Sequence, residues 1–293
     1  MDIVHHGAIG GIAMITLSVT GNEVAGAAFL AGSVVPDLDV FFMVFGKRAY
    51  LKNHQGPTHS LWVAPIIAGL LTFSLWTFLV NPFFVFAMAL LGLLYHILLD
   101  WTNTFGIGLL WPLKKTRYCK DAVFFIDLFL WCLTILFFGL VYFYQNIYIG
   151  IGYFVAFLIY VILKGQLHKH VCNELKCLYA IPSSLNPFSF YILENETNGV
   201  NTYIYKSLSK QKLKSKNYPL PSDEVLTLAE KSQVYKDIKK ITKHLFITEV
   251  TTKENETLIT ARDLAVRNYG GKFATTKLHF DHKGLLLSEE ANI

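Results

Sequence analysis

Histidines and aspartates recur at short intervals in an otherwise apolar sequence. His54 and His59 flank a Gly-Pro step, which predicts a tight turn that brings both rings to one place. His96 and Asp100 are four residues apart, so a helix puts them on the same face. Neutral imidazole is the commonest metal ligand, and carboxylates complete a ligand set suited to zinc. The pattern predicts a metal site that activates water for attack on a phosphoryl or acyl centre.

Two aspartates, Asp37 and Asp39, lie inside another apolar segment, next to Pro36. A charge in a membrane span costs about 2.5 to 3.5 kcal/mol on insertion scales, so such residues usually serve a function. We therefore count both as candidate ligands. The alternative is that the helix ends near the proline and that both side chains merely lie among the lipid headgroups.

The N-terminus and a later segment supply further ionisable groups. Asp2, His5 and His6 directly precede the first apolar run, where a polar helix cap is the alternative to a site. Asp127 lies in the apolar part of a later segment and is a candidate ligand or hydrogen-bond partner of a ligand. Position alone does not distinguish these two roles.

Apolar runs are the elements that must position these groups, since 53% of the 293 residues are apolar. Runs of about 20 apolar residues are long enough to cross a bilayer. Such runs lie at residues 7–20, 23–45, 60–80, 83–103, 122–144 and 147–164, and the first is as short as a half-span or interfacial helix. We predict a mainly α fold, with a polytopic membrane domain of five to six apolar helices at residues 1–164.

Residues 165–293 are polar and rich in lysine, and they predict a small α+β cytoplasmic domain. Ser222 is placed to cap a helix that runs to about Leu245. Short alternating stretches at 201–207, 245–252, 257–261 and 273–280 are typical of strands. This region has no comparable ligand pattern, so we expect a regulatory or partner-binding role for it.

Lysines and arginines fall in alternate connections between the apolar runs. They occur at 46–58, at 104–121 and after residue 164, but not around residues 22, 81 and 145. By the positive-inside rule, the basic connections and both termini face the cytoplasm, with the chain in the cell (plasma or inner) membrane. All candidate ligands then lie at the cytoplasmic face. The net charge of +5 is largely loop lysine near an anionic leaflet, which indicates membrane lipids rather than nucleic acid as a partner.

Hydrolysis by metal-activated water is the chemistry that fits this sequence. The chain contains no Gly-x-Ser-x-Gly elbow, Walker phosphate loop or dinucleotide glycine pattern. One alternative is a non-catalytic membrane regulator with a structural metal and a partner-binding C-terminal domain. A metal or ion transporter is another, but a transport route needs polar groups near the midplane and on both sides.

Several motifs occur in a fixed order over about residues 1–130 and carry a family resemblance. They are Asp2 with His6 and Gly10, Gly32 to Asp39, His54 to Ser60, His96 to Asp100 continuing to Gly106, and Trp111-Pro112. With these motifs the chain resembles the membrane-bound metal-dependent hydrolase family, which includes the LexA-regulated inner-membrane hydrolases of bacteria. The resemblance implies seven metal or catalytic positions: His6, Asp37, Asp39, His54, His59, His96 and Asp100.

One position departs from the family pattern. The family often has arginine after the first histidine of the central motif, where this chain has Gln55. If that arginine binds an anionic substrate, this chain must use another group, such as Lys52 or Arg48, or have an altered specificity.

The sequence therefore predicts an integral-membrane, metal-dependent hydrolase that acts on a phosphorylated lipid or another amphiphilic ester. We assign direct catalytic roles to Asp37, Asp39, His59 and Asp100. The expected cofactor is zinc, with manganese and magnesium as alternatives, in one or two copies. The expected partners are membrane lipids, a lipid-like substrate and a protein that binds the C-terminal domain, but not nucleic acid.

Overall fold

A computed structural model describes residues 2–46, 49–50, 53–78, 81–253, 256–265 and 274–292. The chain forms two compact units. The first comprises Met1–Phe42, Asn53–His168 and Ser184–Pro187, and the second comprises Met43–Lys52, Lys169–Ser183 and Phe188–Ile293.

The apolar part of the chain is helical. Its α-helices are α1 (Ile3–Ser18), α2 (Glu23–Val34), α3 (Ala64–Ser74), α4 (Pro82–Thr102), α5 (Leu128–Tyr144) and α6 (Ile147–Leu175). Segments of 3₁₀-helix occupy Val35–Phe45, Pro57–His59 and Trp76–Phe78.

Three helical segments among the described residues are long and apolar enough to cross a membrane: Glu23–Phe45, Pro82–Thr102 and Ile147–Leu175. Each of the six predicted apolar runs overlaps one of the helices. However, α1, α3 and α5 have only 16, 11 and 17 residues, which is short of the roughly 20 that a span needs. The prediction of five to six spans is therefore not confirmed, and α6 ends at Leu175 rather than at residue 164.

Pro36 changes the second apolar segment from α-helix to 3₁₀-helix. Proline lacks the amide hydrogen that an α-helix needs and clashes with the preceding turn, and α2 accordingly ends at Val34. The chain continues as an 11-residue 3₁₀-helix, far longer than the usual 3 or 4 residues. Asp37 and Asp39 are buried on this segment, while Leu38 between them is exposed.

Two glycines allow α2 and α4 to touch through their backbones. A methyl group at Gly32 would overlap the carbonyl oxygen of Ala89, and one at Gly92 would overlap that of Phe29. Small buried side chains, including Ala28, pack in the same interface. The contact matters for the candidate ligands, because α4 carries two of them and α2 leads directly into the 3₁₀-helix that carries the aspartates.

We expect Gly92→Ala to destabilise the first unit by about 1–3 kcal/mol, because overpacking forces the two backbones apart. Metal affinity should fall with it. Gly69→Ala in α3 is the matched control, since nothing lies within 4 Å of a methyl group there and alanine should stabilise the helix by roughly 0.5–1 kcal/mol. Denaturant unfolding in detergent measures both variants, and equal stability of the two would contradict the close packing.

The second unit contains two four-stranded antiparallel sheets in which consecutive strands pair. The strands of the first sheet are β1 (Tyr179–Pro182), β2 (Ser189–Glu196), β3 (Gly199–Lys206) and β4 (Gln211–Pro219). Those of the second are β5 (Leu245–Lys253), β6 (Glu256–Asp263), β7 (Thr275–Asp281) and β8 (Leu286–Asn292). Two short helices, α7 (Asp223–Ala229) and α8 (Gln233–Ile241), connect the sheets in the chain.

The α+β character predicted for this region is confirmed, but several elements differ. The predicted strands at 201–207, 245–252 and 257–261 correspond to β3, β5 and β6. The fourth, predicted at 273–280, corresponds to β7, although Phe273 lies outside the described residues. The single long helix predicted from Ser222 is wrong. The chain forms two helices instead, because Ser222 caps the first and Ser232 caps a second.

Candidate metal centre

Four of the predicted ligands converge in the first unit. Asp37, His59, His96 and Asp100 each offer one ligand atom, and these atoms all lie within 4.8 Å of one another. His59, His96 and Asp100 are fully buried, and the Asp37 side chain is 9% exposed. The group joins the 3₁₀-helix after α2, the turn at Pro57–His59 and one face of α4.

The spacing of these atoms suits a single ion. Nε2 of His59 is 3.1 Å from Nε2 of His96 and 3.2 Å from Oδ2 of Asp100, and His96 is 3.6 Å from that oxygen. Oδ1 of Asp37 is 3.5 Å from Nε2 of His96 and 3.8 Å from Nε2 of His59. Ligands bound tetrahedrally at about 2.1 Å are separated by roughly 3.4 Å, so the group has the size of a coordination shell.

The outer nitrogen of His96 determines where its proton lies. Nδ1 is 2.7 Å from the backbone carbonyl oxygen of Ser33, which can only accept a hydrogen bond. Nδ1 therefore carries the hydrogen, and in neutral imidazole Nε2 then presents a lone pair to the cluster. Ser33 lies on α2, so the contact between α2 and α4 also orients this histidine.

The Thr58 hydroxyl, which is held by Asp39, orients His59 in the same way. The Thr58 hydroxyl donates to Oδ2 of Asp39 at 3.1 Å, so its oxygen is free to accept from Nδ1 of His59 at 3.0 Å. Nδ1 of His59 is also 3.5 Å from Oδ2 of Asp39. The hydrogen of His59 is thus on Nδ1, and its Nε2 lone pair also faces the cluster.

Four acceptor atoms therefore face one another in a buried space, and they repel unless positive charge lies between them. A proton on Nε2 of His59 would supply such a charge: burial disfavours the charged ring, but hydrogen bonds to Asp100 and Asp37 outweigh burial and raise the pKa of His59 above its usual value. Oδ2 of Asp37 has no hydrogen-bond partner among the described residues. The donor set and this unpartnered oxygen fit a divalent cation.

Asp39 and His54 lie beside the group of four rather than within it. Oδ1 of Asp39 accepts from Nδ1 of His54 at 2.7 Å, and Oδ2 accepts the backbone N–H of Gln55 at 2.7 Å. Together with the Thr58 hydroxyl, these contacts occupy both oxygens of Asp39. The carboxylate thereby folds the 54–58 turn around itself.

His6 contacts the cluster from the opposite side of Asp100. Its Nε2 is 3.2 Å from Oδ1 of Asp100, and its ring stacks on that of His96 with the centroids 3.8 Å apart. Nδ1 of His6 has no hydrogen-bond partner in the described part of the chain. The histidine therefore orients both a carboxylate and an imidazole of the group.

The remaining candidates make other contacts in the first unit. Asp2 caps α1 by accepting from the N–H of His5, and Asp127 caps α5 by accepting from the N–H of Leu130. Nε2 of His5 lies 2.9 Å from the Thr134 hydroxyl. The contact between His5 and Thr134 joins α1 and α5. The structure does not bring His5, Asp2 or Asp127 into the group of four.

The connection after α4 supports the turn that carries His59, which sequence reasoning missed. The N–H of Gly108 donates to the carbonyl oxygen of Gln55 at 2.8 Å. The Arg117 guanidinium donates to the carbonyl oxygens of His54 and Gly106 at 2.7 and 3.1 Å. No local sequence pattern predicts the contact between Arg117 and His54, which are 63 positions apart. Lys52 and Arg48, the predicted substitutes for a family arginine, lie outside the described residues.

Comparison with known proteins gives a curated relative. The uncharacterized protein YfhP of Bacillus subtilis (strain 168) is 26% identical over 192 residues, which cover 60% of this chain and 58% of that protein. The match thus spans less than two thirds of the relative. No solved structure matches the chain.

A protein-family model described as YdjM inner membrane protein matches residues 1–171. The match includes α1 to α5, most of α6 and all four members of the buried group. This agrees with the membrane location inferred from the apolar helices. The chain belongs to the YdjM inner membrane protein family.

Proposed function

We propose that the protein is a membrane-embedded, metal-dependent hydrolase that acts on a phosphorylated lipid or another amphiphilic ester. One observation carries the proposal. Nδ1 of His59 and Nδ1 of His96 each contact a hydrogen-bond acceptor, so in the neutral rings both Nε2 lone pairs point at the oxygens of Asp37 and Asp100. A packed core gains nothing from converging acceptors, whereas a metal site requires them.

The ligand chemistry favours zinc and one ion. Two imidazoles with two carboxylates form a nitrogen and oxygen set that zinc binds in four-coordinate geometry. Magnesium prefers oxygen ligands and retains several waters, so two imidazoles disfavour it, while manganese is the closer alternative. Asp39 and His54 are bound to each other and to the turn, so they do not supply a second ion with ligands.

The residues around the ion have separate roles in this proposal. A divalent ion supplies Lewis acidity that makes water a competent nucleophile near neutral pH. His59, His96, Asp100 and Oδ1 of Asp37 would hold the ion. Oδ2 of Asp37 has no hydrogen-bond partner among the described residues, and its side chain is 9% exposed, so this oxygen would accept the proton of the attacking water. Asp39 and His6 keep the ligands in place.

The surroundings of the site favour an amphiphilic substrate. Leu38 and Phe41 are exposed directly beside the aspartates, and Leu61 and Trp62 are exposed just after His59. In a membrane protein such side chains contact lipid, and tryptophan prefers the interface. The lysines and arginines in the connections between helices support a location of the site at the cytoplasmic face of the membrane. A site at the membrane interface is accessible to molecules that have a polar headgroup and an apolar tail.

A membrane regulator with a structural metal is the second candidate. Complete burial of His59, His96 and Asp100 favours it, because structural zinc sites are closed whereas catalytic sites keep an open position. The chain's second unit, with its two sheets, would then bind a partner. The two candidates share the metal and differ in whether ester bonds are broken.

Hydrolysis by purified full-length protein decides between them. The protein is reconstituted in phosphatidylcholine vesicles that contain a lipid phosphate monoester, a phosphodiester or a carboxylic ester. We expect product release from at least one class with zinc or manganese and none after chelation. Metal-loaded protein that cleaves none of the three would exclude the hydrolase and leave the regulator.

A further inference from the structure

Gln55 has a backbone conformation that glycine adopts most easily. Its φ is 54°, in the left-handed region where the Cβ of other residues crowds the backbone. Even so, the position carries a long polar side chain, and that side chain is buried, with the residue only 6% exposed. A strained and buried side chain of this kind calls for a reason beyond the turn itself.

The backbone contacts of Gln55 do not supply that reason. Its N–H donates to Oδ2 of Asp39 at 2.7 Å, and its carbonyl oxygen accepts the N–H of Gly108 at 2.8 Å. Any residue other than proline, glycine included, can make both bonds. The turn alone would therefore favour glycine at this position.

The side chain reaches the metal ligands. Nε2 of Gln55 donates to Oδ2 of Asp100 at 3.3 Å, and the same oxygen lies 3.2 Å from Nε2 of His59. On the other side, His6 contacts Oδ1 of Asp100 at 3.2 Å. Contacts on both oxygens fix the plane of this carboxylate, so that Oδ2 faces the imidazoles.

We propose that Gln55 is a positioning residue that orients Asp100 for metal binding. The inference rests on the proposed function to the extent that the cluster binds a cation. Gln55 then acts on a metal ligand, whereas the family resemblance suggested that position 55 influences which substrate binds. Partners of this kind, one bond away from the metal, typically contribute 10-fold to 100-fold in metal affinity.

Two substitutions test this role in the untagged, full-length protein in detergent. Gln55→Gly removes the side chain and relieves the left-handed strain, and Gln55→Glu keeps the shape but replaces the donor with an acceptor. We expect both to weaken zinc binding by about 10-fold to 100-fold in a chelator competition assay. Gln55→Gly should also raise the unfolding temperature of the metal-free protein, so that stability and affinity change in opposite directions.

Gln145→Gly is the matched control. Gln145 also has a left-handed backbone, with φ 44°, but it is exposed at the end of α5. The change should raise stability and leave zinc affinity at the wild-type value. If both Gln55 variants bind zinc as tightly as wild type or more tightly, the inference is overturned, but the proposed metal centre is not contradicted. If Gln55→Gly does not fold, Gln55→Glu alone decides. A wild type that binds no divalent ion overturns the inference and the proposed function together.

Discussion

Asp100→Asn is expected to lose bound metal, with a metal affinity more than about 100-fold below that of wild type. This loss is larger than the 10-fold to 100-fold typical of removing a hydrogen-bond partner of a ligand. Asparagine keeps the shape of the side chain but removes the negative charge that faces His59 and His96 at 3.2 and 3.6 Å. Metal-dependent hydrolysis should disappear with the metal. Metal content after dialysis and product release from lipid vesicles measure the two effects.

Asp127→Asn is the control for this substitution. Asp127 is also a buried aspartate of the first unit, but it caps α5 and accepts a hydrogen bond from the Tyr160 hydroxyl. Asparagine caps helices about as well as aspartate, so the fold should tolerate the change. Metal content should remain that of wild type. Equal metal content in both variants would show that Asp100 is not a ligand.

Removal of the metal is expected to lower stability strongly, because Asp37 and Asp100 are buried carboxylates that need compensating charge. A ligand present at 100 times its dissociation constant stabilises the folded state by about 2.7 kcal/mol. For a unit of this size, that corresponds to a shift of roughly 5–10 °C in unfolding temperature. Thermal unfolding in detergent with zinc and with a chelator measures the shift.

The same comparison in Asp100→Asn provides the control, because a protein without the site cannot respond to the metal. Its unfolding temperature should be the same with zinc and with chelator. If the chelator removes the metal from the wild-type protein and the unfolding temperature does not change, the result contradicts the metal centre.

The members of the buried group were predictable because each depends on a local rule. His96 and Asp100 lie one helical turn apart, so any helix in this register brings them together. The Gly-Pro step indicated the turn that carries His59. The cost of a charge in an apolar segment singled out the two aspartates, Asp37 and Asp39.

Other features could not be read from the sequence because they depend on tertiary contacts. Asp37 and Asp39 look equivalent in the chain, but only the folded turn shows that Asp39 binds Gln55 and His54 instead of facing the cluster. The carbonyl oxygen of Ser33 orients His96 only because α2 and α4 touch. Arg117 reaches His54 across 63 positions of sequence.

Some elements of the polar region could not be predicted from the sequence either. β4 (Gln211–Pro219) has lysines at alternate positions, so it lacks the apolar alternation of a half-buried strand. Its residue Lys214 also has a left-handed backbone. Its partner β3, with buried tyrosines, was predicted. The break between α7 and α8 occurs at Ser232, a capping residue inside an otherwise helical pattern.

X-ray absorption spectroscopy on untagged, full-length protein, together with its metal content, tests the metal centre most directly. We expect one divalent ion per chain, surrounded by about four nitrogen and oxygen ligands at roughly 2.0–2.2 Å, with the outer-shell scattering of two imidazoles. Purified protein that takes up no ion when zinc or manganese is supplied, or an ion bound mainly by sulfur, would contradict the assignment of Asp37, His59, His96 and Asp100 as its ligands.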